Sequence, residues 1–503
     1  MPTLLHKIRH HSELHPENVA LTFNGQSYSY AALMEAVDRL RGSLAARGLK
    51  AGDSVAIILP NCPHFIISHL AVIGLGAVSV PINVLQKARE IESALEDAEA
   101  RAVIGWANFA PESEKAAAHV ESLRLRIYLG DSIPEGAENL VEMIASGDPL
   151  PESNEISDTD LAAIVYTSGA NGHPRGVELS HANFSDHVRE FGQMLRIRDT
   201  DRCLCAIPFS NICGLSEAIC LPLSFGAEVQ IHSRFHPGDT LQSLRDSGTT
   251  VFLANPSAYA LMARFPSADK YDTSRIRYAI SCEAKLADET ARSVEEILHL
   301  NVFEGYGTTE TCGIVALNLF PHLMPRGSVG QPISGHEICV LDKSGKPQPP
   351  DHVGQIAVRG SSVAKGYHKR KEKTEKVFSD GWFLTSDYGF LDEQAHLFVS
   401  SHAEELILKG GFPVYSREIE EIVEGLPHVQ EVAVIGVPDS ILGEEIKAFV
   451  VLKEGAMIGP TEIIEYIKER IAVYKCPKIV KLMKELPRST SGKIIRSQLR
   501  TEP

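Results

Sequence analysis

Four short segments of the chain gather residue types that phosphate and carboxylate chemistry uses. The first, Tyr166-Thr-Ser-Gly-Ala-Asn-Gly-His-Pro-Arg-Gly-Val177, sets hydroxyls at Thr167 and Ser168, glycines at Gly169 and Gly172 and a guanidinium at Arg175. Glycines let backbone N–H groups converge on a phosphate, and hydroxyls and positive charge add donors. It is not a Walker loop, because Gly-Lys-Ser/Thr is missing. The second, Glu304-Gly-Tyr-Gly-Thr-Thr-Glu-Thr311, flanks Tyr306 with Gly305 and Gly307, where a purine could lie against backbone and ring. Thr308 and Thr309 then offer hydroxyls to phosphate, and Glu310 offers a hard carboxylate to Mg²⁺. The third, Asp380-Gly-Trp-Phe-Leu-Thr-Ser-Asp387, ends on a carboxylate able to accept both hydroxyls of a ribose. The fourth is the pair Leu406-Ile-Leu-Lys-Gly-Gly411 and Pro487-Arg-Ser-Thr-Ser-Gly-Lys493, in which Gly410 and Gly411 beside Lys409 free the backbone for a ligand and Lys493 sits in a hydroxyl-rich loop. Each segment alone reads equally well as a turn, a cap or a solvated lysine.

Such residues need a frame, and apolar patterning supplies one. Runs at Ser54–Leu59, Ala77–Val80, Arg101–Ile104, Glu228–Ile231, Thr250–Ala254 and Arg277–Ile280 alternate with helical stretches, one starting near His64. That alternation predicts α/β layers with largely parallel sheets. The phosphate-loop candidate follows an apolar strand, Leu161–Val165, and precedes a helix signal at Ser180. Beyond residue 400 the order becomes helix (Ser416–Glu424), strand (Glu431–Ile435), strand (Ile446–Leu452), helix (Thr461–Ile471) and strand (Ile479–Met483), a small α+β unit. The expected organisation is therefore α/β: a large N-terminal domain of layered α/β subdomains, residues 1–400, and a small C-terminal α+β domain, residues 401–503.

Taken in order and spacing, the four segments resemble the acyl-adenylate-forming superfamily of acyl-CoA synthetases, luciferases and peptide-synthetase adenylation domains, with fatty-acid and other acyl-CoA ligases nearest. The resemblance spans His15-Pro16 to Arg500 and includes Ala77-Val-Ser-Val-Pro-Ile-Asn83, Val358-Arg-Gly360, Lys365-Gly-Tyr367 and Val437-Pro-Asp439. It implies a ligase that uses ATP and Mg²⁺ to convert a carboxylic acid, fatty or aromatic, to an acyl-adenylate, then passes the acyl group to coenzyme A. Thr167, Ser168, Gly169, Gly172 and Arg175 would hold the β- and γ-phosphates; Gly305, Tyr306 and Gly307 would flank adenine; Thr308 would sit beside the phosphates. Thr309 would touch the α-phosphate, Glu310 would ligate Mg²⁺, and Asp387 would hold the ribose. Lys493 would bridge the acid and the α-phosphate. Glu404 would be the hinge of a rotating C-terminal domain, and Lys409, Gly410 and Gly411 would face the thiol tunnel. The chain departs from the family pattern at Ala170-Asn171, where threonines are usual, and at His402, where an arginine near the ribose is usual. Asn211, Cys282 and Glu283 alter the acid side. A carrier-protein phosphopantetheine as acceptor, a degenerate nucleotide-binding member without activity, and a homodimer are the alternatives these residues leave open.

Composition narrows the partners. A formal net charge of −16 over 503 residues argues against nucleic acid, whose backbone needs clustered cations. Ten basic residues against two acidic ones between Lys468 and Arg500 make a local basic stretch suited to a phosphorylated small molecule. The nine cysteines show no CxxC pair, which fits reduced thiols and a cytoplasmic enzyme. Phe65–Ile82, the most apolar run, is broken by Ser68, His69, Gly74, Gly76 and Pro81, so it reads as a buried helix and strand and not a membrane span.

Overall fold

The computed structural model describes residues 3–150, 156–167, 175–319, 325–400, 406–409, 412–439, 443–471, 475–488 and 494–500. The fold is mixed α/β and divides into two compact units. The first comprises Met1–Cys339, Ala357–Leu384 and Glu393–Leu397; the second comprises Val340–Ile356, Thr385–Asp392 and Phe398–Pro503.

Two large sheets build the first unit. One has eight strands, and its parallel part runs through Ser54–Ile58, Val78–Pro81, Ala102–Trp106 and Leu125–Leu129. Ser54–Ile58 is buried along its whole length, as a strand covered on both faces must be. Alternate side chains divide between two cores: Val55 and Ile57 join the cluster that includes Phe65, Leu70 and Phe184, whereas Ala56 and Ile58 join Ile91, Leu95 and Val120. The helix Pro63–Gly74 is buried along nearly its whole length in the first of these clusters, which accounts for its mostly apolar composition. Among the described residues no helix is long and apolar enough to cross a membrane.

The other sheet has nine strands, with Arg202–Cys205, Glu228–Ile231, Val251–Ala254, Tyr278–Ser281 and Val302–Thr308 parallel at its centre. Its far side packs on Leu241, Leu244, Tyr259, Met262 and Leu298.

The second unit carries a sheet in which Val429–Asp439 and Gly443–Leu452 pair antiparallel and Ile479–Met483 joins in parallel. Period-two alternation again feeds two cores. Val432 and Val434 pack with Ile419, Val423, Ile463 and Ile467 of the helices Ser416–Glu424 and Pro460–Lys468; Ala433 and Ile435 pack with Phe449, Leu486 and Leu499.

Candidate active site

The phosphate-loop candidate is the mouth of a hairpin. Leu161–Thr167 pairs antiparallel with Arg175–Ser180, and the last pair before the mouth is Thr167 opposite Arg175. The sequence pattern leads from the loop to a helix signal at Ser180; in the structure a strand intervenes, and only then does Ser180 cap the helix His181–Leu195 by accepting from the Asn183 N–H. The described flanks of this segment, Thr167 and Arg175, are thus fixed by strand pairing and not by a helix N-terminus. Ser168, Gly169, Ala170, Asn171 and Gly172 lie outside the described residues.

A third, two-residue strand completes the hairpin. Gly366 and Tyr367 pair antiparallel with Glu178 and Val177, and the Tyr367 N–H donates to Thr374 Oγ1 at 3.0 Å. Backbone pairing thus fixes the Tyr367 ring, and the Arg175 guanidinium stands 5.8 Å from its centroid. The Lys373 ammonium lies 6.0 Å from the same centroid. Burial and the charge of Arg175 both lower the Lys373 pKa.

The Tyr367 hydroxyl donates to Glu310 Oε1 at 2.7 Å, while Oε2 takes no hydrogen bond among the described residues. Burial, followed by the Glu310 charge, raises the Tyr367 pKa, so the phenol stays a donor. Glu310 itself is buried in a 3₁₀ turn, Thr309–Thr311, that joins Val302–Thr308 to Gly313–Leu317.

Val302–Thr308 changes partners halfway. Val302 to Glu304 pair in parallel with Ala279 to Ser281, and Gly305 to Thr308 pair antiparallel with Gly313–Leu317. The switch from a parallel to an antiparallel neighbour places Thr309 and Glu310 in the turn at the carboxyl end of Val302–Thr308, where ligands of α/β sheets bind. At Gly307 a Cβ would collide with the Gly313 carbonyl, so that glycine is required by backbone approach alone. Tyr306 is buried in the same strand. The Thr308 hydroxyl is buried and has no hydrogen-bond partner among the described residues. A buried orphan of this kind costs free energy unless a ligand pairs it.

Glu304, at the start of the motif, accepts from the Leu286 N–H at 2.9 Å, and burial pushes its pKa up to about 7. On the acid side of the sequence reading, Asn211 donates to Glu283 Oε1 at 2.7 Å and Cys282 is buried.

The residues fit a magnesium–nucleotide. One buried carboxylate, flanked by threonine hydroxyls and two cations, is the donor set Mg²⁺ uses when substrate phosphates complete its shell. Among the described residues no cluster of three acidic, histidine or cysteine side chains offers a metal a protein cage of its own.

Asp387 and Lys409 belong to the second unit. Asp387 lies inside the strand Trp382–Leu391, its N–H donating to Thr385 Oγ1 at 3.0 Å, and so is not the turn or cap a lone aspartate suggests. Lys409 ends a strand pairing antiparallel with Phe412–Tyr415. Its ammonium meets Glu445 Oε1 at 2.5 Å and the Cys476 carbonyl at 3.3 Å, so within this unit its charge is already matched. His402, Glu404, Gly410, Gly411 and Lys493 lie outside the described residues. Tyr367 and Lys373 were assigned no role from sequence. The segment Lys365-Gly-Tyr367 is visible in the sequence, but only folding brings its ring between Arg175 and Glu310.

Comparison with known proteins agrees over nearly the whole chain. The family model described as AMP-binding enzyme matches residues 8–368, and that of the AMP-binding enzyme C-terminal domain matches residues 418–493. The chain is 32% identical to a feruloyl-CoA synthase of Amycolatopsis sp, over 97% of this chain and 96% of that protein. It is 29% identical to a long-chain-fatty-acid–CoA ligase of Bacillus subtilis (strain 168), over 97% and 92% respectively. Among solved structures, ATP-bound MatB from Rhodopseudomonas palustris superposes with a TM-score of 0.87 at 30% identity, covering 98% of each chain.

Proposed function

The chain belongs to the AMP-binding enzyme family, and from that membership we propose that it is an AMP-forming acid–CoA ligase. It activates a carboxylic acid with ATP to an acyl-adenylate and transfers the acyl group to coenzyme A. The names of the long-chain-fatty-acid and feruloyl relatives support a fatty or aromatic acid, and a cytoplasmic location belongs to the same reading. The observation that carries it is the contiguous arrangement of Arg175, Tyr367 and Glu310 beside the orphan Thr308 hydroxyl.

The chemistry explains the arrangement. A carboxylate attacking the α-phosphate brings two anions together, and Mg²⁺, when bound, supplies the charge that offsets their repulsion. Glu310 is the residue that would hold that ion, with Tyr367 orienting its carboxylate. Arg175, at the hairpin mouth, would face the β- and γ-phosphates with a permanently charged fork. Gly305 to Gly307 would admit adenine, Thr308 and Thr309 would donate to phosphate oxygens, and Asp387 would take the ribose. Lys493, in the C-terminal domain beginning near residue 401, would neutralise the attacking pair. Reorientation about Glu404 would then exchange Lys493 for the Lys409-Gly410-Gly411 segment during transfer to the thiol.

Pyrophosphate exchange with a panel of fatty and aromatic acids tests the reading. Exchange with at least one acid, abolished by Glu310→Ala, is expected. No exchange with any acid would favour a degenerate nucleotide-binding member. Supplying CoA and a phosphopantetheinylated carrier protein as rival acceptors separates those two routes.

A further inference from the structure

The turn that bears Glu310 is held from outside by groups the ligase mechanism does not use. Within the turn, Thr311 Oγ1 lies 3.0 Å from the Thr308 carbonyl and 2.8 Å from that of Gly313, and accepts from the Thr308 N–H at 2.9 Å. Three backbone atoms are then fixed by other elements. The Ala364 N–H donates to the Glu310 carbonyl at 2.8 Å. Ser362 Oγ lies 2.7 Å from the Thr311 carbonyl, and the Ile314 N–H donates to Glu217 Oε1 at 2.8 Å.

Behind two of these contacts stands a buried histidine with a carboxylate. Glu217 Oε1 also meets His187 Nε2 at 2.9 Å, with 2% and 1% of the two side chains exposed. Gly313, at φ 129°, abuts this pair so closely that a Cβ would collide with the carboxylate and the imidazole. Ser362 Oγ meets His336 Nε2 at 2.6 Å, and His336 Nδ1 lies 3.4 Å from Glu190 Oε2. His187 and Glu190 stand three apart on the helix His181–Leu195, so a single helix face supplies both supports. Glu217 comes from a π-helix, Ser216–Cys220, a distortion frequent at functional sites.

Burying two carboxylates and two imidazoles carries a desolvation penalty that apolar packing would avoid. What they provide is direction: the Glu217 carboxylate and the Ser362 hydroxyl hold backbone atoms of the turn, and the two imidazoles orient those groups, as the outer groups of a metal site hold its ligands. We infer that His187–Glu217 and Glu190–His336–Ser362 are positioning groups that set the Glu310 carboxylate for its magnesium–nucleotide. The inference rests on Glu310 being the magnesium ligand.

Titration calorimetry of ATP binding at limiting and saturating Mg²⁺ tests it without an acid substrate. Glu217→Ala is expected to weaken ATP binding about tenfold at limiting Mg²⁺, with the deficit closing at saturation. Glu217→Gln, whose Oε1 still accepts from Ile314, is expected to stay within about threefold of the unmodified enzyme. Ser362→Ala removes one contact without stranding a charge; it is expected to shift Mg²⁺ dependence in the same direction, and it carries the test should Glu217→Ala not fold. Glu310→Ala is the reference. If it leaves Mg²⁺ dependence unmoved, the ligand assignment has failed and the inference with it. If Glu310→Ala shifts the dependence while the folded Glu217→Ala and Ser362→Ala variants do not, positioning alone is overturned.

Discussion

A single phenol joins the two motifs on which the proposed chemistry depends. Tyr367 donates to Glu310 and carries Arg175 against its ring, so Tyr367→Phe should leave the fold intact while loosening the carboxylate. A hydrogen bond to a charged group contributes about 1.5–3 kcal/mol, so pyrophosphate exchange at limiting Mg²⁺ should fall roughly tenfold or more. Glu304 makes a different prediction. Its folded-state pKa of about 7 lies above the ordinary 4.5, so the fold binds that proton more tightly than the unfolded chain does. Its contribution is therefore complete below pH 4.5 and is lost as pH rises through about 7. Glu304→Gln cannot titrate, and its side-chain oxygen can still accept from Leu286. Thermal denaturation should show the variant gaining on the native protein between pH 5 and pH 8, by roughly 3 kcal/mol at most. A constant difference across that range would refute the assignment.

Elements explain which parts of the site could be read in advance. Ser54–Leu59 and Glu228–Ile231 were legible because burial on both faces demands a continuous apolar run, and the observed strands match to within a residue or two. Ser416–Glu424 and Ile479–Met483 were legible to the residue. Arg175–Ser180 was not, because its short alternating pattern follows a Gly-rich loop and ends on a strong helix cap, so helix signals dominated. Gly366–Tyr367 is too short to leave any periodicity, and the two glycines flanking Tyr306 conceal a change of strand partner. His187 and Glu217 lie 30 residues apart and meet only through folding. Gly307 offers the sharpest test at this scale. A methyl group there meets the Gly313 carbonyl, so Gly307→Ala should cost about 1–3 kcal/mol in thermal or urea unfolding and reduce adenylation through the displaced turn.

Across the whole molecule the prediction concerns division of labour. Lys493 is proposed for the first half-reaction only, so Lys493→Ala should abolish pyrophosphate exchange yet spare thioester formation from supplied acyl-adenylate. Equal loss in both would remove the role. Lys409 carries a separate, structural expectation. Its partner Glu445 is 7% exposed, and Lys409→Ala would leave that carboxylate buried without its cation, costing about 3–5 kcal/mol in the stability of the second unit.

The same division gives the molecule a built-in pair of reporters. No two of the nine cysteines are joined in a disulfide, and eight are buried; burial pushes Cys62 up to about 11 and holds Cys203 and Cys312 higher still, so none of these three presents a thiolate to an alkylating reagent. Cys476 belongs to the second unit and the other eight to the first. Iodoacetamide labelling followed by peptide mass spectrometry would therefore record the opening of each unit on its own clock, without a tag or a mutation.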